Sequence, residues 1–154
     1  MRFRAAVIGG LFVAALSLAR PGAVAAPDLI MFHGGTLSAP VILTDWDQNM
    51  ALLNELAGKV SSIKPEALQG RPSISVAMFW GYEWREYVTQ RKLGTLTPEQ
   101  GNQHATLYPA TRTAPAFLLL EDKGKFGHGM ASAGLVRAVS DEGTALLRQY
   151  AVIK

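Results

Sequence analysis

The chain contains no cysteine, and that absence closes off several chemistries at once. No disulfide staples the fold, and no thiolate serves as nucleophile, redox couple or metal ligand. Histidine is scarce: His33, His104 and His128 lie far apart, and no pair has the spacing of metal ligands on one helix face. Nothing in their spacing points to a site combining them with Asp45, Asp47 or Glu83, so the sequence implies no metal and no cofactor. Clustered positive charge is missing too. Arg91-Lys92 and the Lys123/Lys125 pair fall at a helix end and a turn, where charges serve structure, so no basic surface for nucleic acid is expected.

The one long apolar run stands at the N-terminus. Arg2 and Arg4 precede a fifteen-residue apolar run, Ala5 to Ala19, which Arg20-Pro21-Gly22 breaks. Ala23-Val24-Ala25 then supplies the small residues that a signal peptidase needs. Residues 1–25 therefore read as a secretory signal peptide, with Ala26 the first residue of the exported chain. A membrane span needs about 20 apolar residues, and this run also contains Gly9-Gly10. Cleavage would leave 129 residues with 12 basic and 12 acidic side chains, a neutral chain sized for one domain, residues 26–154. The expected destination is periplasmic or secreted, with no membrane attachment after cleavage. An exported chain without disulfides relies on its core.

The rest of the chain is organised around Ser73-Ile74-Ser75-Val76-Ala77-Met78-Phe79-Trp80, a buried strand that runs through Gly81 into an amphipathic helix carrying Trp84, Tyr87 and Val88. Upstream, Leu29–Phe32 and Val41–Leu43 read as strands joined by a loop from His33 to Pro40 that closes a loose hairpin. Thr44-Asp45-Trp46-Asp47 has the form of a capping box, opening a helix with an apolar stripe of Trp46, Met50, Leu53, Ala57 and Val60. Pro65–Gln69 reads as one helical turn. Lys92 and Gly94 are expected to close the helix after the central strand. Thr97-Pro98-Glu99-Gln100 is a second capping signature, expected to start a weak helix that Tyr108-Pro109 ends. Ala116–Leu120 reads as a strand covered on both faces, Asp122–Lys125 as a turn, Leu135–Val139 as a final strand and Ser140 as the cap of a terminal helix. The expected fold is α/β (or α+β): one domain with a mixed sheet of four or five strands and about three main helices.

The aromatic enrichment marks the expected site. Trp80 and Tyr82, at the end of the central strand, stand where open α/β sheets bind ligands, and the polar run Gln100, Asn102, Gln103, His104 supplies hydrogen-bonding groups. His33, Trp80, Tyr82, Glu83, Gln103 and His104 are the candidate ligand-binding residues. No catalytic residue is assigned. The bland alternative makes Trp80, Trp84 and Tyr87 core and the polar run an exposed helix.

Two family resemblances bear on these motifs. His33-Gly34-Gly35 resembles the oxyanion loop of α/β-hydrolase lipases and esterases. That family also needs a serine flanked by glycines, and Met130-Ala131-Ser132-Ala133-Gly134 has methionine in place of the first, which leaves a plain glycine turn. Phe79-Trp80-Gly81-Tyr82-Glu83-Trp84 is similar to the strand-into-helix junction of thioredoxins, and Thr113–Leu120 with the Lys123-Gly124-Lys125 turn and last helix looks like their proline-led strand, hairpin and final helix. Arg85 and Val88 stand about where the redox cysteines would be, so the resemblance implies topology without redox activity.

The leading expectation is a non-catalytic binding or accessory domain for a small polar ligand or a partner protein, with no nucleic-acid partner. The alternatives are a small cell-envelope enzyme using Glu83, His104 or His33, and a thioredoxin-like fold without redox activity.

Overall fold

The computed structural model describes residues 26–121 and 134–154. The expected signal peptide, the Asp122–Lys125 turn, His128 and the Met130–Ser132 segment lie outside the described residues. In chain order the elements are β1 (Leu29–His33), β2 (Val41–Leu43), α1 (Trp46–Leu56), β3 (Lys59–Val60), β4 (Ile74–Phe79), α2 (Tyr82–Thr89), β5 (Gln103–Tyr108), β6 (Phe117–Leu120), β7 (Val136–Ala138) and α3 (Asp141–Gln149), with short 3-10 turns at Pro65–Leu68, Leu93–Thr95 and Pro98–Gln100. No helix among the described residues is long and apolar enough to cross a membrane.

The described strands form one open sheet of seven in the order β2-β1-β4-β5-β6-β7-β3, every neighbour antiparallel. This α+β arrangement corrects two expectations, the strand count and the mixed sheet. The two strands not foreseen are β3, only two residues long, and β5 in the middle of the sheet. Residues 103–108 alternate buried and half-buried along β5, the two-residue period of a strand, instead of continuing the turn capped at Thr97. Helix-linked crossovers make parallel neighbours, and no described pair is parallel. The thioredoxin-like topology is therefore not formed, although the junction at Gly81 and the β6–β7 pairing followed by α3 both are.

Facing residues of antiparallel strands share a side of the sheet, so the registers define two faces. One buries Ile30, Phe32, Val76, Met78, Leu107 and Leu118 beneath α1 and α3, which contribute Leu52, Leu53, Leu56 and Leu147. Asn49, Leu52, Leu53 and Leu56 are the buried residues of α1, an i, i+3, i+4, i+7 stripe. The frame differs from the expected one because Asp45, not Thr44, caps the helix, its Oδ1 accepting from the Gln48 N–H at 2.8 Å. Trp46 is left 40% exposed, and Val60 belongs to the edge strand β3. The fully buried Asn49 donates from its amide to the carbonyls of Pro27 and Asp28 at 3.1 and 3.2 Å, tying the entry of β1 to α1.

The other face carries two separate apolar islands. Leu29, Met31, Ala77 and Phe79 are covered by Trp84, Tyr87 and Val88 of α2 with Leu93 and Leu96. Nearer the β7 side, Phe117 and Val136 pack with Leu68 and Leu119. α2 ends through Arg91, at φ 56°, with the Lys92 N–H donating to Tyr87 O at 2.8 Å. This left-handed closure comes three residues before Gly94, the expected terminator.

Candidate functional site

Between the two islands the sheet face is polar. The register pairs His33 with Ser75, Ser75 with Thr106, and Ala77 with His104, so His33, Ser75, His104 and Thr106 all rise from one side of three adjacent strands. Glu121 joins them just beyond β6, where its N–H donates to His104 O at 3.1 Å and extends the ladder. The fourth wall is the Pro98–Gln100 turn. It folds over β4 because Asn102 N–H reaches Met78 O at 2.9 Å and because both contacting residues are small. Gly101 lies against Ala77, so close that a Cβ at 101 would stand 3.1 Å from the alanine methyl and 3.4 Å from the His104 ring.

The result is an open pocket of about 350 Å³ lined by His33, Ser75, Glu99, His104 and Glu121 with Pro98 and strand backbone. Its carboxylates are held from behind. The Thr106 hydroxyl donates to Glu121 Oε1. Hydrogen bonds from its own backbone N–H and from Thr97 hold the exposed Glu99 carboxyl below the usual carboxylate range, because such bonds favour the charged form. The Thr97 N–H in turn donates to Gln100 Oε1 at 2.8 Å, which fixes the turn. Partial burial lowers the pKa of His33 against the raising pull of Glu99 and Glu121, with His104 adding to the lowering. His33 is thus neutral at neutral pH and has one ring nitrogen free to accept a hydrogen bond or a proton. Among the described residues no three His, Asp or Glu side chains converge closely enough to hold a metal ion.

Of the residues singled out from the sequence, the structure brings His33 and His104 together and places the other four elsewhere. Gln103 precedes His104 on β5 and therefore faces the opposite side, where it is fully buried, its amide without a hydrogen-bond partner among the described residues. Trp80 packs half-buried against that same opposite core, and its backbone N–H donates to Asn102 Oδ1 at 2.6 Å. Tyr82 is 73% exposed on α2. Glu83 curls back over Gly81, where a Cβ would collide with its carboxylate. The β4–α2 junction is a structural knot: Asp28 accepts from the Gly81 N–H at 3.0 Å and pairs with Arg85.

Glu99, Glu121 and Ser75 were missed. The sequence did carry a signal for them. Polar His104 and Thr106 alternating with Ala105 and Leu107 mark a strand with one wet face, and Ser75 interrupts an otherwise buried strand. In comparisons with known proteins, the chain matched no family model, no curated protein and no solved structure.

Proposed function

We propose that this protein is a binding domain that acts after export and takes a small polar ligand in the pocket between His33, Glu99, His104 and Glu121. The observation that carries this reading is the convergence of β1, β5, the end of β6 and the Pro98–Gln100 turn on one concavity. Its hydrogen-bonding groups are braced from behind by residues that do not line it. A sheet built only for stability would cover this strip with apolar side chains, as it does on either side. Concave sites with a few convergent polar groups are the usual form of small-molecule sites.

The test is a thermal-shift screen of small amines, carboxylates, amino acids and sugars on the wild type and on the double variant His33→Gln/His104→Gln. Both imidazoles are only partly buried, so the double variant is expected to change the unfolding free energy by under about 1 kcal/mol. A ligand at a hundred times its Kd stabilises the wild type by about 2.7 kcal/mol, and the double variant is expected to lose nearly all of that gain. A compound that stabilises both proteins equally binds elsewhere and sinks the reading.

The neutral, acceptor-ready His33 beside a second imidazole and two carboxylates favours one second reading, a small enzyme acting on cell-envelope material by proton transfer in this pocket. Glu83 has no part in it, since it does not line the pocket. Turnover of any screening hit by the wild type, lost in His33→Gln, would separate this reading from binding alone. The export step predicts that the protein recovered outside the cytoplasm begins at Ala26; a mass matching the full 154-residue chain in that fraction contradicts it.

A further inference from the structure

Between β4 and β5 the chain leaves the sheet and returns to it at one place. At the exit, Gly81 takes φ 129° and ψ 149°, a backbone open to glycine and strained for other residues. At the return, Asn102 is fastened twice to the end of β4. Its N–H donates to Met78 O at 2.9 Å, and its Oδ1 accepts from the Trp80 backbone N–H at 2.6 Å. Between these points lie α2, the Leu93–Thr95 turn and the Pro98–Gln100 turn. Excursions whose ends meet in this way are held by their own contacts. Here the N–H groups of Gln90, Lys92, Thr95, Leu96, Gln100 and Gly101 all find acceptors inside the segment.

The segment's hold on the rest of the fold is slight. From Tyr82 to Gly101 only Leu96 is buried, whereas α1 buries Asn49, Leu52, Leu53 and Leu56 and α3 buries Gly143, Thr144 and Leu147. The sheet beneath is nonetheless shut off from water, since Leu29, Met31, Ala77 and Phe79 are at most 1% exposed. The indole Nε1 of Trp84 is buried there without a hydrogen-bond partner among the described residues, which weakens the closed arrangement. One ion pair, Arg85 with Asp28, joins α2 to the entry of β1, and the Arg85 side chain is 55% exposed. Few buried residues and an exposed latch mark a segment that opens at less cost than global unfolding.

We propose that residues 82–101 form a lid that lifts from the sheet as one body, hinged at Gly81 and Asn102 and latched by Arg85 on Asp28. The last part of this body is a wall of the pocket. Pro98 and Glu99 line it, so lifting the lid draws them away from His33, Ser75 and His104 and widens the entrance. The motion passes along a short, stiff path. Leu96 sits with α2 on the apolar island, and Thr97 follows it directly. Thr97 and Gln100 then hold the turn as one piece, the Thr97 N–H donating to Gln100 Oε1 at 2.8 Å and the Gln100 N–H to Thr97 O at 3.2 Å. That the lid governs entry of a ligand rests on the reading of the pocket as a binding site; that it opens rests on its own packing.

Because the chain has no cysteine of its own, single introduced thiols report the opening. Met31→Cys lies under α2, Leu96→Cys on the underside of the lid beside the pocket wall, and Met78→Cys in the core on the other face of the sheet. Each is labelled with an aromatic disulfide reagent at several low denaturant concentrations, with and without Arg85→Gln. Met31→Cys and Leu96→Cys are expected to react faster than Met78→Cys and to share one denaturant slope, shallower than that of Met78→Cys because less surface is exposed. Arg85→Gln is expected to speed both by the same factor, about 1.5- to fivefold. A steep slope at Met31→Cys overturns the lid, and a steep slope at Leu96→Cys alone shows that α2 moves without the pocket wall, which also overturns it. Rates unmoved by Arg85→Gln remove the latch. Amide exchange of the unsubstituted chain, comparing Lys92 and Leu96 with Val76 of β4, repeats the comparison should a cysteine variant fail to fold. No ligand enters these measurements, so the screen above decides separately whether the pocket binds.

Discussion

Phe79→Ala is expected to lower the free energy of unfolding by about 3–5 kcal/mol, measured as a shift of the denaturant midpoint at unchanged slope. Phe79 ends β4 completely buried, opposite Leu29 in the ladder. The Trp84 ring stands edge-on to it, centroids 5.0 Å apart and planes inclined by 69°, and Tyr87 follows Trp84 at 5.2 Å. This stack is how α2 is held. No residue of α2 is fully buried, so the helix has no core of its own and depends on Trp84, Tyr87 and Val88 lying against Phe79, Leu29 and Met31. Removing the benzyl group deletes buried apolar volume and leaves a cavity under a helix with few other attachments. Trp84 fluorescence is therefore expected to shift to the red before global unfolding, as α2 loosens locally. A loss under about 1 kcal/mol with an unmoved tryptophan signal would show that α2 is held some other way.

The same stack shows what the aromatic enrichment around Gly81 means. Read along the chain, Trp80, Tyr82, Trp84 and Tyr87 suggest a ligand surface; in three dimensions they divide by periodicity. Trp84 and Tyr87 take the inward side of α2, Tyr82 the outward side, and Trp80, just past the end of β4, packs against the core on the other face of the sheet. What was readable was local. Apolar runs marked β1, β2, β4, β6 and β7, and the Ser140 cap marked α3, its Oγ accepting from Gly143 N–H at 2.9 Å. The strand β5 was hidden because Gln103, His104 and Thr106 are polar; His104 lines the pocket and Thr106 holds Glu121 from behind. The capping signature at Thr97 was real, but it closes a single turn, since Gly101 returns to extended backbone at φ −61°, ψ 143°. The site needed long-range information. His33 and His104 are neighbours only because β4 pairs with β1 on one side and β5 on the other, and no pattern within one segment encodes that order. Glu121 required the β5–β6 register as well.

Gly35→Ala is the substitution expected to couple fold and site most directly. Two consecutive glycines after β1 adopt left-handed backbone, Gly34 at φ 70° and Gly35 at φ 60°, and the Leu37 N–H closes the turn onto Gly34 O at 3.1 Å. Their surroundings differ. A Cβ on Gly34 meets nothing within 4 Å, whereas one on Gly35 would overlap the backbone carbonyl of Ser73, just before β4. Gly34→Ala thus incurs only the left-handed backbone penalty, about 1–2 kcal/mol. Gly35→Ala adds an overlap with main chain that no rotamer can relieve, and overpacking of that kind costs about 1–3 kcal/mol more, for a total of about 2–5 kcal/mol. The shift needed to relieve the clash pushes the end of β1 away from β4, at the point where His33 faces Ser75. The imidazole then leaves the pocket even in molecules that remain folded. Denaturant melts of the two variants should differ by the overlap energy, and the His33 resonance of folded Gly35→Ala should lose its response to any pocket ligand while Gly34→Ala keeps it. Equal costs and equal responses in the two variants would mean that the turn is not pressed against Ser73, and that His33 is positioned by β1 alone.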